Sequence, residues 1–374
     1  MKAVFCLLSM ILAAVFLAGC WDREYLKDLN LAYSVGFDLT EEMKMQETVE
    51  IIFPPEAEQM STINEIYTCT GQTPRDASNR IRNKVRGNIR FIKNGIRLIG
   101  KPLAEHGIYS TLNVNFRDPS NPTSNVRVII TDQKASDILF MQKVGELKIG
   151  EFITQKIKSL EEMSLFYPPE TVDSLFRSLK DPGQDFALPY IGQEGKDLAA
   201  KGVALFHNEH YTGLLNTDQA IMLTLLKGGS GDNARFTKKI EMKDPNPILG
   251  SISFNVGQKK IRRSFKVKVS PQGDIDVYLG IKLHAIIEEY TGQHLLTEKN
   301  INSMNKKLSE MLTEQAEEVI RKVQEANCDI FGVGRHLIAY HNKIWRSKNW
   351  STDYKEVRFH AKVDLNIVDT GVLR

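Results

Sequence analysis

After its first eighteen residues the sequence has no long apolar run, and nothing there approaches the roughly 20 residues that a membrane-spanning helix needs. A polytopic membrane protein is thereby excluded. Cysteine is scarce too, with four in 374 residues. Cys6 and Cys20 fall in the N-terminal leader, which leaves Cys69 and Cys328, far apart and in unlike contexts. A disulfide framework is excluded; two buried free thiols are expected, with a single Cys69–Cys328 bridge as the alternative. There is no strong charge of either sign, since 49 basic residues face 46 acidic ones for a formal net charge of +3. Internal repeats and low-complexity tracts are also missing.

Catalytic signatures are sought in vain. No Gly-x-Ser-x-Gly elbow, His-Glu-x-x-His pair or P-loop occurs, and Lys227-Gly228-Gly229-Ser230-Gly231 has its lysine first and the wrong spacing. Gly332-Val333-Gly334 follows a predicted helix where a dinucleotide fingerprint would follow a strand. His207 and His210 are accompanied only by Glu209, so a polar hairpin turn explains them better than a metal site. Glu288-Glu289 and Glu317-Glu318 read as solvated faces. The chain is therefore expected to be no enzyme, with no catalytic residue, metal or cofactor and no evident small-molecule site.

What is present begins at the N-terminus. Lys2 precedes an apolar run from Ala3 to Ala18 that closes on Leu17-Ala18-Gly19-Cys20, a lipobox-type signal peptide rather than a fold element. Residues 1–19 are expected to be removed and the Cys20 thiol to carry diacylglycerol. An ordinary signal peptide with a chance cysteine is the alternative. Each buried CH₂ contributes about 0.8 kcal/mol, so two palmitate-length chains make an effectively permanent anchor. Trp21 either sits at headgroup level or packs under the body.

The remaining chain is long for one core, and two or three α+β domains are predicted. The divisions fall at a lipidated leader over 20–30, an N-terminal α+β domain over 31–135, a middle domain over 136–250 and a C-terminal α+β domain over 251–374. Strands are predicted at Leu31–Phe37 and Glu47–Phe53, stopped by Pro54-Pro55, and at Ser110–Arg117 and Asn125–Ile130, joined by the turn chemistry of Asp118 to Pro122. Thr73-Pro74-Arg75-Asp76 starts a helix whose buried stripe is Ala77, Ile81 and Val85. Residues from Ala135 to about Ser178 read as helical, with Ile153, Ile157 and Leu160 on one face. Val203–Phe206 and Tyr211–Leu214 form a hairpin, followed by a helix over Thr217–Leu226. In the C-terminal third, strands at Ser251–Val256, Ser264–Val269 and Asp274–Ile287 precede a long amphipathic helix from the cap Thr297. That helix lies on a mixed or antiparallel sheet, which a strictly alternating strand from Val357 to Ile367 completes.

Charge is distributed unevenly. Between Arg75 and Lys101 nine basic residues face one acid, Asp76. Three readings compete for the group that includes Arg75, Arg82, Lys84, Arg86 and Arg90: a solvated face, contact with anionic headgroups, or contact with an acidic protein surface. Nucleic acid is disfavoured, because only Phe91 interleaves these charges as a stacking residue. A second basic cluster runs from Lys259 to Lys268. Trp345 and Trp350, five residues apart, serve either core packing or a partner surface.

Several short motifs, in order, carry a family resemblance: Gly19-Cys20-Trp21-Asp22-Arg23, Gly36-Phe37-Asp38, Thr70-Gly71-Gln72-Thr73, Lys201 to Phe206 with Gly213-Leu214, and Asp329 to Gly334 before Trp345 and Trp350. Together they resemble the Ger(x)C lipoproteins, the C subunits of spore germinant receptors. The resemblance implies three unusual α+β domains and no catalysis. It also implies a place in the spore inner membrane beside integral-membrane A and B subunits. A solute-binding lipoprotein that itself captures the nutrient is the rival reading. Gly36, Gly71, Gly202, Gly332 and Gly334 are expected to serve turns with positive φ or close packing.

Overall fold

The computed structural model describes residues 29–53, 63–117, 123–163, 170–195, 197–229, 233–240, 250–256, 261–290 and 298–370. The signal peptide, Cys20, Trp21, Pro54-Pro55, the Asp118–Pro122 turn, Lys259, Lys260 and the cap Thr297 lie outside these residues.

The chain opens with an antiparallel meander, β1 (Leu29–Leu39), β2 (Met45–Phe53) and β3 (Ile63–Gly71). Helix α1 (Pro74–Arg82) follows, capped by Thr73, whose hydroxyl accepts from the Asp76 amide at 3.2 Å. Then come β4 (Asn88–Arg90), β5 (Ile96–Gly100), α2 (Lys101–His106), α3 (Tyr109–Phe116), β6 (Arg127–Thr131) and α4 (Ala135–Phe140). A small hairpin of β7 (Lys143–Val144) and β8 (Leu147–Lys148) leads to α5 (Ile149–Glu162), α6 (Val172–Leu179), β9 (Ala187–Glu194), β10 (Asp197–His207), β11 (His210–Leu215) and α7 (Thr217–Leu226). The last third holds β12 (Arg235–Lys239), β13 (Ser251–Asn255), β14 (Arg262–Val269), β15 (Ile275–Tyr290), α8 (Glu298–Glu325), α9 (Val333–Tyr340), α10 (Asn342–Ser347), α11 (Trp350–Asp353) and β16 (Arg358–Asp369).

The first eleven strands, apart from β7 and β8, make one nine-stranded sheet in the order β11-β10-β9-β6-β5-β1-β2-β3, with β4 pairing β1. Strands from both sides of residue 135 share it, so that position does not separate two sheets. Its centre is parallel, β1 with β5, β5 with β6 and β6 with β9, and its flanks are antiparallel. Parallel strands need cover on both faces, and β5 is buried at all five positions. Ile96, Leu98 and Ile129 face α4 and α5, whereas Ile99, Val128 and Ile130 face the core that Ile81, Leu103 and Leu112 supply from the other side.

The smaller sheet has β13 and β14 successively along one edge of β15 and β16 along the other. Its inner face, Val277, Leu279, Ile281 and Leu283, meets Leu308, Leu312, Ala316 and Val319 of the 28-residue α8. The α+β class, the mixed sheets and the long helix on the C-terminal sheet are as the sequence predicts.

One predicted strand is wrong. Ser110–Arg117 is not a strand but lies largely in α3, because Ile108, Thr111 and Leu112, at helical spacing, are the fully buried residues there. Seven strands, β3, β4, β5, β7, β8, β9 and β12, go unpredicted, and the short β7–β8 hairpin interrupts the stretch from Ala135 to Ser178 that reads as helical. β5 hides inside the basic run, and Pro189 argues against β9 until its place is seen: β6 pairs only with Tyr190 and Ile191, so no β6 bond requires a Pro189 amide.

Candidate functional site

The basic segment divides into an outer and an inner part. Arg80, Arg82, Lys84, Arg86 and Lys93 are exposed, and Arg75 and Arg90 are half-buried. Their stems lie on the fold: the Arg86 guanidinium stands 5.0 Å over the Phe53 ring, Arg82 stands 6.0 Å over Phe91, and Lys84 donates to the Thr68 carbonyl at 3.4 Å. The turn after β4 adds an apolar tip, Ile92, 48% exposed. Leu29, Asn30 and Leu31 at the start of β1 pair with Asn88, Ile89 and Arg90, and the Asn30 amide donates to the Arg86 carbonyl. Arg86 and Arg90 therefore lie where the chain enters the body from its N-terminus, while Lys84, Arg80 and Arg75 follow toward the other end of β1.

Arg97 belongs to the same run in sequence and to the core in space. It is buried on β5, donates to the Thr111 carbonyl at 2.6 Å and lies 5.3 Å over the Phe37 ring. Burial pulls its pKa down to about 10, against the opposite pull of Glu47. Glu47 on β2 is buried as well and accepts from the Ser78 hydroxyl at 2.6 Å. Burial pushes its pKa up to about 7, while Ser78 and the cations Arg97, Arg75 and Arg82 act in the opposite sense. The outer residues thus lie at the surface or half-buried, and Arg97 does not.

Trp345 on α10 and Trp350 on α11 come together, with ring centroids 5.6 Å apart, and both pack half-buried against the main core. The group that gathers them is Asp329. Its carboxylate accepts from the Val333 amide at 2.9 Å, the Gly334 amide at 2.7 Å and the Trp350 indole N–H at 3.0 Å. Desolvation pushes its pKa up to about 7 in spite of these donors. Asp185 clamps the other side, accepting from the Asp329 amide at 2.9 Å and the Asn208 amide at 2.8 Å, with His207 Nδ1 at 3.2 Å. The start of β9, the β10–β11 turn and the loop before α9 are joined at one point.

The glycines of the motifs fall into two groups. Gly202 and Gly332 have φ of +127° and +73°, which side chains rarely adopt. The others are close approaches: a Cβ on Gly36 would meet the Ala135 and Leu139 side chains at 3.0 Å, one on Gly71 the Ala77 amide at 2.5 Å, and one on Gly334 Trp350 at 2.7 Å. Asp38, two residues after Gly36, caps α4 by accepting from the Ala135 and Ser136 amides at 2.7 and 2.9 Å. These carboxylates spend their lone pairs on main-chain donors, so the motifs hold the body together. Sequence reasoning misses Asp38, Asp185 and Glu47; the signal for Asp38 is its place in the Gly36-Phe37-Asp38 motif.

Among the described residues no group of three or more His, Cys, Asp or Glu could hold a metal ion. His210 turns instead to the Glu105 carbonyl at 3.2 Å. Cys69 and Cys328 are free thiols, both buried. No helix among the described residues is long and apolar enough to cross a membrane.

Two family models match nearly end to end: the spore germination protein N-terminal domain over residues 22–193, and the spore germination B3/GerAC-like C-terminal domain over 201–371. The chain belongs to this spore germination family. The two matches meet inside the β9–β10 hairpin, so the C-terminal family segment completes the large sheet with β10 and β11. Relatives in the family include spore germination protein GerQC of Bacillus cereus, 24% identical over 97% of this chain and 98% of that protein. Spore germination protein KC of Bacillus subtilis (strain 168) is 21% identical over 98% of this chain and 96% of that protein. The crystal structure of the GerBC protein superposes with a TM-score of 0.59 at 15% identity, covering 93% of this chain and all of that one, and shows the same fold.

Proposed function

We propose that this chain is a non-enzymatic, lipid-anchored subunit of a nutrient germinant receptor. It is held by acylated Cys20 on the outer face of the spore inner membrane and acts through contacts with integral-membrane A and B subunits. Family membership supports the receptor role. The observation that carries the geometry is the pairing of Leu29–Leu31 with Asn88–Arg90, which sets Arg86 and Arg90 at the entry of the chain. The nine residue steps from Cys20 to Leu29 reach about 30 Å at most. An anchor at Cys20 therefore keeps Arg75, Arg82, Lys84, Arg86 and Arg90 within reach of headgroups or of partner segments at the membrane surface, where each cation contributes about 1 kcal/mol.

A Cys20→Ala variant tests this reading. The expected outcome is an unchanged melting curve for the body, loss of the chain from the membrane fraction, and failure of germination through this receptor. Normal nutrient-triggered germination with the variant would overturn the anchor's role. The rival, direct capture of the nutrient, is tested by isothermal titration of the full chain with amino acids and sugars, where saturable stoichiometric binding would replace our reading.

A further inference from the structure

The second basic cluster of the sequence has no part in the surface described above. Its described members lie on β14, where Arg262, Ser264, Lys266 and Lys268 alternate outward, all exposed. Register places them beside β15 and β16 in rows. Arg262 stands opposite Lys282 and Lys282 opposite Asp364; Ser264 faces Gly280 and Gly280 faces Lys362; Lys266 faces Tyr278 and Tyr278 faces His360. Paired residues project from the same side of a sheet, so this is one continuous outer face. It carries six cations, Arg262, Lys266, Lys268, Lys282, Arg358 and Lys362, against the carboxylates Asp276 and Asp364, with a third, Asp274, at its edge 3.8 Å from Arg358. Asp276 is already engaged by Arg358 at 2.8 and 2.9 Å and by His360 at 3.0 Å, and Asp364 stands 3.5 Å from Lys362.

Two features go beyond charge. Like charges directly across a strand pair destabilise a sheet, yet Arg262 and Lys282 are placed that way. In the middle row Ser264 and Gly280, next to Lys362, are small and leave a depression of about 420 Å³. A Cβ on Gly280 would come within 2.6 Å of the Ser264 hydroxyl. Tyr278 and His360, stacked at 4.6 Å and 17°, form an aromatic wall beside it.

We infer that the outer face of the β14–β15–β16 sheet docks an acidic polypeptide segment in extended conformation, its carboxylates on the cation rows and a side chain seated over Gly280. Positions on this face recur every second residue along each strand, about 6.7 Å apart, the spacing at which an extended chain presents alternate side chains; on β14 three of the four, Arg262, Lys266 and Lys268, are cations. A bilayer offers mobile phosphates in a plane, with no such register and nothing to enter the depression. The inference goes beyond the proposed receptor role and does not depend on the anchor at Cys20.

The test uses the full chain in detergent micelles and a short fluorescent peptide alternating Glu with Thr. The peptide should bind saturably. Binding should weaken about tenfold when Lys282→Glu and Lys362→Glu are combined, and that double variant should instead bind a peptide alternating Lys with Thr. Ser264→Leu, which fills the depression and keeps every charge, should also weaken binding, whereas Gln at Arg82, Lys84, Arg86 and Arg90 should leave it unchanged. The proposal is overturned by absence of peptide binding, by binding that ignores the double reversal, by equal competition from inorganic phosphate, or by phosphatidylglycerol vesicles displacing the peptide from this face. A melting curve for each variant separates loss of docking from loss of fold.

Discussion

The basic segment from Arg75 to Lys101 and the tryptophan loop from Cys328 to Tyr354 both stand out by residue type, and the structure treats them in opposite ways. The charged segment delivers most of its cations outward on α1 and the turn after it, and sends one, Arg97, into the core between Phe37 and Thr111. The aromatic loop turns inward, with the Asp329 carboxylate at its centre accepting from two amides and an indole N–H. Residue type alone therefore does not decide which region meets a partner. The period of the element decides it, because a charge on a strand buried on both faces has no solvent side, whatever the neighbouring charges suggest.

The contrast can be broken most decisively at Asp329. Replacing it by Ala leaves two buried amides and an indole N–H without their acceptor, and removing one partner of such a network costs about 3 to 5 kcal/mol. Denaturant unfolding should show that loss; a change under about 1 kcal/mol would mean that the loop is held by packing alone. Gly334→Ala probes the same loop by volume. Its methyl would press on Trp350, Trp345 and the Gly183 backbone at 2.7 to 3.0 Å, with an expected cost of about 1 to 3 kcal/mol and a changed near-ultraviolet spectrum from the displaced indoles. An unaltered spectrum would show that the two rings are not fixed by this contact.

Glu47 sharpens the comparison from the inner side of the basic segment. Its folded pKa lies near 7, above the usual 4.5, so the folded state holds a proton that the unfolded state has released over that interval. Stability contributed by this group is complete at low pH and falls as pH rises from about 4.5 to 7, by up to about 1.4 kcal/mol per pH unit. Asp329, with its pKa also near 7, acts in the same direction. Glu47→Gln should keep the acceptor for Ser78 and remove its share of this slope. Parallel curves of stability against pH for the two proteins would show that Glu47 is ionised throughout, paired with Arg97.

What could be read in advance follows the same division. The strands β14, β15 and β16 and the helix α8 were legible because their buried faces are one-sided, so that period two or period 3.6 appears undiluted, as in Val357 to Ile367. α7 and β10, buried nearly all round, were legible from their apolar runs and the turns that bound them. β5 was not, since a strand buried on both faces has no alternation and Arg97 disguises its apolar character. α3 was misread as a strand because Ser110 to Val114 mixes β-branched and polar residues, and only the tertiary burial of Ile108, Thr111 and Leu112 selects the helix. The glycines of the motifs were legible as backbone positions. The carboxylates that accompany them were not: Asp38 serves a helix 97 residues further along the chain, and Asp185 a loop 144 residues further along. No local pattern records such partners.

The smallest stability effect is expected at the outer cations, and it bears most directly on function. Arg82, Lys84 and Arg86 are exposed and Arg90 is half-buried, with cation–π stacking of Arg82 and Arg86 on Phe91 and Phe53. Replacing all four by Gln should cost about 1 kcal/mol or less in total, since surface substitutions rarely exceed 0.5 kcal/mol each and Gln keeps part of the stem. The same change removes four positive charges between the end of α1 and β4, two of them, Arg86 and Arg90, beside the entry of β1. If those charges face anionic headgroups, binding of the unlipidated variant to phosphatidylglycerol vesicles should fall steeply, and wild-type binding should weaken with added salt as screening shortens the reach of each charge. Unchanged vesicle binding would turn the outer cations from lipid to the acidic surface of a membrane partner. A loss of several kcal/mol on unfolding would instead place them, like Arg97, among the residues that hold the fold.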